Sequence, residues 1–244
     1  MSKFKLVFIV AFLTILNLKC YGQENNDWPT IPGFKPNSPL TLTSTETFIG
    51  FTAAAGLSYI LAEYVLKDEE NINYYTLRAG MNDEYQHALK SVWHQGFGLE
   101  HRVASWFSLL GEINLQQWED RTTGINDNEK FGIGAGAKMY FRWYLFGKKR
   151  ISPYLEYGTG VFYGFKKFPY NGTNFTFNHS SLLGVEYTIK NGNKVRLGYG
   201  NFHQSNNGWI GNSNSGYDGN GFSISYSWVI KKKLKNDNSK EKSY

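Results

Sequence analysis

A histidine, a serine and an aspartate stand at the ends of two apolar segments near the C-terminus. His203 and Ser205 are two positions apart, and Asp218 follows a segment rich in Asn, Ser and Gly. A serine hydroxyl becomes a nucleophile when a histidine takes its proton, and a carboxylate can orient and stabilise the imidazole. These residue types supply a nucleophile, a base and an acid, provided that the fold brings them together.

The two segments have the pattern of β-strands that would place the three side chains on one face. Side chains alternate between the two faces of a strand, so Tyr199 shares a face with His203 and Ser205. Every second residue after Asp218 lies on the same face of its strand, and from 222 to 230 the residues on this face are apolar. On a lipid-facing surface, such ionisable groups indicate function. In a water-excluded core, they would instead have to form a hydrogen-bonded polar network.

The same alternation recurs along most of the chain and favours lipid. Residues 131–145, 151–161 and 183–189 alternate apolar side chains with Gly, Lys, Arg, Glu and Ser. This pattern is typical of strands that face lipid on one side and a polar lumen on the other. We expect an all-β fold, an antiparallel transmembrane β-barrel of about eight strands with a lumen filled by side chains. The candidate strands lie near residues 72–81, 91–101, 104–118, 130–146, 150–164, 175–190, 194–205 and 218–230.

The N-terminus has the composition of a secretory signal. Lys3 and Lys5 precede the apolar run 6–16, and Gly22 is a suitable cleavage point, so residues 1–22 are predicted to be a signal peptide. The run is too short to span a bilayer. Cys20 is the only cysteine and would be removed with the signal. The mature chain would therefore have no disulfide.

The segments that flank the predicted barrel are less regular. Residues 23–71 form an N-terminal extension in which 48–66 is uncharged except for Glu63. We expect this segment to be an accessory helix or additional strand packed on the barrel. The barrel itself is assigned to 72–230. Residues 231–244 form a polar basic tail.

Charge and motif content exclude several classes of function. The net charge is +6, but the basic residues are scattered apart from the tail, so no nucleic-acid partner is predicted. The sequence contains neither a Gly-rich phosphate loop nor Cys and His residues at metal-binding spacing.

Two half-motifs then point to a family. His203-Gln204-Ser205-Asn206, followed by Asn214-Ser215-Gly216-Tyr217-Asp218, resembles the outer-membrane lipid A 3-O-deacylases of the PagL family, whose relatives are often labelled acyloxyacyl hydrolases. A looser resemblance extends over 132–228. The family pattern has Glu at the acid position, whereas this chain has Asp218 after a loop one residue longer.

The resemblance implies a Ser-His-Asp triad. Ser205 would be the nucleophile, His203 the general base and Asp218 the orienting carboxylate. Asn214 and backbone N–H groups around Asn206 and Gly208 would stabilise the oxyanion. No metal or organic cofactor is implied.

The resemblance also implies a substrate and a location. A catalytic face that meets the outer leaflet of a bacterial outer membrane would reach lipopolysaccharide without extracting it. The expected reaction is hydrolysis of a lipid A acyl ester, that of the 3-O-linked chain, with release of a 3-hydroxy fatty acid. The partners would be lipopolysaccharide and outer-membrane lipids, and a homodimer is left open.

Two alternatives compete with this interpretation. The triad residues could be the polar rim of a barrel mouth, and the protein a non-enzymatic adhesin or structural barrel. A soluble lipocalin-like carrier is disfavoured by the polar residues predicted for the lumen. His179 and Ser181 have the same spacing as His203 and Ser205 but lack the following Asn and the acid segment, so we expect them to be structural.

Overall fold

Eight antiparallel strands close into a barrel in the computed structural model, which describes residues 45–66, 71–84, 89–169, 172–206 and 216–230. Each strand pairs with its neighbour along the chain, and the first closes on the last. The predicted fold class and the eight predicted strands are confirmed. The strands are β1 Ile72–Glu84, β2 Lys90–Ala104, β3 Phe107–Asp120, β4 Phe131–Tyr144, β5 Ile151–Phe168, β6 Thr173–Thr188, β7 Lys194–Ser205 and β8 Tyr217–Val229.

The two ends of the barrel differ in their connections. We call the end with the connections 105–106, 145–150 and 189–193 the turn end, and the opposite end the loop end. At the turn end, the Ile189 N–H donates to the Asn193 carbonyl at 2.8 Å, and Gly192 adopts φ +86°. Glycine tolerates a positive φ without a steric penalty, so the Asn191-Gly192 pair forms the tight turn that the sequence predicts.

The wall follows the predicted alternation. Along β3, Ile113 and Leu115 are exposed on the outside, whereas Glu112, Asn114 and Gln116 are buried inside the barrel. Along this part of the wall, apolar side chains therefore cover the outer surface, while polar ones line the lumen.

A ladder of buried ion pairs fills the lumen from the turn end to its middle. The Arg78 guanidinium donates to both Glu156 oxygens at 2.7 and 2.6 Å. Arg142 bridges Glu156 and Glu100, and Arg196 donates to Glu100 at 2.9 Å. Each charged side chain of the ladder has an opposite charge beside it, which offsets the cost of burial in a low dielectric. Further members of the ladder are Glu112, Glu186, Arg102 and Lys194.

An apolar cluster fills the lumen at the loop end. Trp118 packs edge-on against Phe162, with ring centroids 5.9 Å apart, and Phe168 packs against Tyr217 at 5.4 Å. Phe202 belongs to the same cluster. Together with the ion-pair ladder, this cluster fills the lumen with side chains, as predicted for a barrel of this size.

A helix lies on the outer wall of the barrel. Helix α1 runs from Thr45 to Ile60 and continues as a π-helical segment, Leu61–Leu66. Its buried residues pack against outward-facing side chains of the wall. Among the residues that the structure describes, no helix combines the length and the apolar character needed to cross a membrane. The predicted signal peptide 1–22 and the basic tail 231–244 lie outside the described residues.

Candidate active site

The three residues predicted to do chemistry form one hydrogen-bonded chain on the outer wall. The His203 Nδ1 lies 2.8 Å from Asp218 Oδ1, and the His203 Nε2 lies 2.9 Å from Ser205 Oγ. A carboxylate only accepts hydrogen bonds, so Nδ1 carries the proton that is donated to Asp218. Nε2 then accepts a hydrogen bond from the Ser205 hydroxyl. A general base needs this tautomer of the imidazole.

Strand register produces this geometry. His203 and Ser205 share a face because they are two apart on β7, and Asp218 of β8 is paired directly with His203. Directly opposed side chains of an antiparallel pair have Cβ atoms about 5 Å apart. The short side chain of Asp218 can therefore reach the imidazole. The polar segment between β7 and β8 is needed only to connect the two strands.

The inward-facing neighbours of the site anchor it to the packed lumen. Gln204, between His203 and Ser205, donates from Nε2 to Thr176 Oγ1 at 2.9 Å. Tyr217, which precedes Asp218, donates its hydroxyl to the Asn82 carbonyl at 2.7 Å. Both anchors are buried, so the strand ends that carry the site are held from inside the barrel.

The site is partly shielded and opens outward. The Ser205 residue is 8% exposed, and the side chains of His203 and Asp218 are 19% and 40% exposed. Ser205 is paired with Phe177 of β6, and Phe177 packs edge-on against Phe175 with ring centroids 5.4 Å apart. Ser205 is thus flanked by apolar side chains.

A second histidine lies beside the site. His179 of β6 is paired with His203, and the two rings lie 6.4 Å apart at an interplanar angle of 15°. The Tyr157 hydroxyl lies 3.3 Å from His179 Nδ1. The sequence shows that the His-x-Ser spacing occurs twice, but it does not predict that the two histidines are neighbours. Pairing between strands cannot be inferred from residue positions along one strand. Ser181, its partner in that spacing, is buried and paired with Asn201.

The predicted oxyanion donors are described only in part. Asn206 follows Ser205 directly and is buried. Asn214 and Gly208 lie outside the described residues, so their roles remain predictions.

The fold and this arrangement define a membrane-embedded β-barrel with a candidate hydrolytic site on its wall. Residues 72–227 match the family model described as lipid A 3-O-deacylase (PagL). The chain belongs to this family of lipid A deacylases, which confirms the resemblance drawn from the half-motifs and places the barrel in the outer membrane.

Several solved structures are similar to the chain. The crystal structure of the outer membrane enzyme PagL has 17% identity, covers 64% of this chain and 99% of that one, and gives a TM-score of 0.43. Neisserial surface protein A has 11% identity, coverages of 65% and 95%, and a TM-score of 0.40. The outer membrane protein AlkL in lipid bilayers has 12% identity, coverages of 67% and 92%, and a TM-score of 0.38. No curated protein matches the chain.

Proposed function

We propose that this protein is a serine esterase that hydrolyses the 3-O-linked 3-hydroxyacyl ester of lipid A in the outer leaflet. The observation that carries the proposal is the hydrogen-bonded chain Ser205–His203–Asp218 on the outer wall at the loop end. Membership of the lipid A deacylase family supports the substrate class.

The reaction follows from the position of each proton. Ser205 Oγ attacks the ester carbonyl carbon while His203 Nε2 takes the hydroxyl proton, and Asp218 stabilises the resulting imidazolium. The tetrahedral adduct then expels the sugar alkoxide, which receives the proton from His203. Water, deprotonated by the same nitrogen, then attacks the acyl-enzyme. The second tetrahedral adduct releases the 3-hydroxy fatty acid while His203 returns the proton to Ser205 Oγ.

The location of the site suits a lipid substrate. In outer-membrane barrels the short turns are periplasmic and the longer loops extracellular, so the loop end lies at the outer leaflet. Ser205 is the last residue of β7 at that end. Because its side chain points out of the barrel, an acyl ester near the head group can meet the nucleophile without leaving the membrane.

Donors are needed for the oxyanion of the tetrahedral adduct. We assign this role to the Asn214 side chain and to backbone N–H groups around Asn206 and Gly208, which belong to the connection that begins at the nucleophile. Removing one such donor from an acyl-transfer enzyme lowers kcat by about 10²–10³.

Mass spectrometry of lipid A from producing cells tests the proposal. The wild type and Ser181→Ala should both remove one hydroxyacyl chain, whereas Ser205→Ala should leave lipid A intact because it lacks the nucleophile. Ser181 is the matched control, since it also lies two residues after a histidine on the neighbouring strand.

Two outcomes would contradict the proposal. Deacylation by a folded Ser205→Ala variant would show that Ser205 is not the nucleophile. Unchanged lipid A in cells with correctly inserted wild-type protein, across lipid A types that carry a 3-O-acyl chain, would favour the non-enzymatic barrel.

A further inference from the structure

Helix α1 is apolar on two opposite sides. Phe51 and Ala55 are each 1% exposed where the helix meets the barrel, whereas Leu57 and Ile60 are 58% and 53% exposed on the other side. No charged residue occurs in 47–62. A helix that is apolar all round requires an apolar environment on every side, and the barrel supplies only one.

The part of the barrel that α1 covers is its lipid-facing surface. Leu155 and Tyr157 of β5 alternate with Glu156, which lies in the ion-pair ladder, so these two side chains point outward. Phe51 stacks on Tyr157 with ring centroids 4.5 Å apart and an interplanar angle of 1°. Trp143 of β4 contributes to the same contact.

A buried hydrogen bond fixes the helix on this surface. The Trp143 Nε1–H donates to Ser58 Oγ at 2.8 Å, and both residues are buried. Within hydrocarbon, an indole N–H has no water to bond, so an internal acceptor stabilises the contact.

The helix lies toward the turn end. Ala62 belongs to the same cluster as Val103, Ala104 and Trp106, which lie at or beside the β2–β3 connection. The turn end is the periplasmic end of an outer-membrane barrel. The exposed face of α1 is therefore continuous with the lipid-facing wall within the periplasmic leaflet.

We propose that α1 is embedded in the periplasmic leaflet of the outer membrane, with its exposed face in contact with phospholipid acyl chains. The family match begins only at residue 72, so α1 lies outside the matched region. This location of α1 does not depend on the serine mechanism or on which acyl ester is hydrolysed.

Quenching by brominated phospholipids tests the contact. Leu57→Cys and Ile60→Cys, each in the full chain with Cys20→Ser, are labelled with bimane and reconstituted in phosphatidylcholine vesicles with or without bromine on the acyl chains. Ile113→Cys, on the lipid-facing wall and 69% exposed, is the positive control. Asp127→Cys, in the exposed 3₁₀ turn between β3 and β4, is the negative control.

The proposal predicts that bimane at positions 57 and 60 loses as much fluorescence as bimane at 113, while bimane at 127 is unaffected. Emission at positions 57 and 60 that stays unquenched, with position 113 quenched, would overturn it. Disulfide-linked dimers of the unlabelled Leu57→Cys variant, together with protection of the bimane-labelled variant from quenching, would instead assign this face to a second copy. Deacylase activity of the same variants is measured separately, with lipid A in detergent micelles, so a failure of the proposed function would not affect the interpretation of the quenching.

Discussion

At the residue scale, the acid of the candidate site is shorter than the one in the family pattern that the sequence resembles. That pattern has Glu, whereas Asp218 stands here, yet its Oδ1 is 2.8 Å from His203 Nδ1. The direct cross-strand pairing of the two residues explains why one methylene fewer is sufficient. An aspartate can therefore orient the imidazole without any change in the positions of His203 and Ser205.

Asp218→Asn tests this role. An amide in place of the carboxylate can donate to Nδ1 and so favours the imidazole tautomer whose Nε2 bears the proton, which cannot accept from Ser205. We expect kcat to fall by about 10²–10⁴ with little change in KM, because the loss falls on the transition state. Rates of fatty-acid release from lipid A in detergent micelles measure both parameters.

The matched control for that substitution is Asp127→Asn, which makes the same chemical change at an exposed aspartate bonded to Lys130. Its rate should equal that of the wild type. Full activity in Asp218→Asn would show that His203 needs no carboxylate partner.

At the element scale, each strand carries one set of side chains for the lipid and another for the lumen. In β5, Glu156 lies between the outward-facing Leu155 and Tyr157 and accepts hydrogen bonds from Arg78 and Arg142. The ion pairs thus join β1, β4 and β5 across the lumen. Because the charges of the ladder pair with neighbours on other strands, removing one leaves its buried partners with fewer opposite charges.

Glu156→Gln should therefore lower the free energy of unfolding by about 3–5 kcal/mol, since two arginines lose a shared carboxylate in a dry interior. Urea unfolding of the barrel in lipid vesicles gives the value. Glu119→Gln is the surface control: this carboxylate pairs with Arg121 and is 39% exposed. Its loss should cost at most about 1 kcal/mol. Equal effects of the two substitutions would show that the ladder adds nothing beyond surface pairing.

At the scale of the whole molecule, the barrel has a packed interior and carries the candidate site on its exterior. The ion-pair ladder and the aromatic cluster occupy successive levels of the lumen, and the candidate site lies on the outside at the loop end. The cluster includes Phe202 and Tyr217, the chain neighbours of His203 and Asp218. Packing of the interior therefore positions the exterior site.

A filled lumen predicts that the protein does not conduct ions. Reconstituted in planar bilayers, the wild type should give no stable single-channel steps, because side chains of the ladder and the cluster block the axis. A porin added to the same bilayer provides the positive control. Steady conductance that scales with the number of inserted barrels would contradict the packing seen here.

The sequence by itself determined which side chains share a face. A strand alternates with a period of two, a local property of the backbone, so apolar positions could be assigned to lipid and polar ones to the lumen. The same count placed His203 and Ser205 together and put Asp218 on the same surface. The Asn191-Gly192 turn was predictable for an equally local reason, since Gly192 must adopt a positive φ.

Only the tertiary structure decided which residues on different strands meet. Register depends on how the whole barrel closes, so nothing along β7 reveals that His179 is paired with His203 or that Asp218 is directly opposite it. Arg78 and Glu156 are joined across the lumen for the same reason. The docking of α1 on the outer wall is also nonlocal, because the surface that receives Phe51 is assembled from strands β3 to β5 only once the barrel has formed.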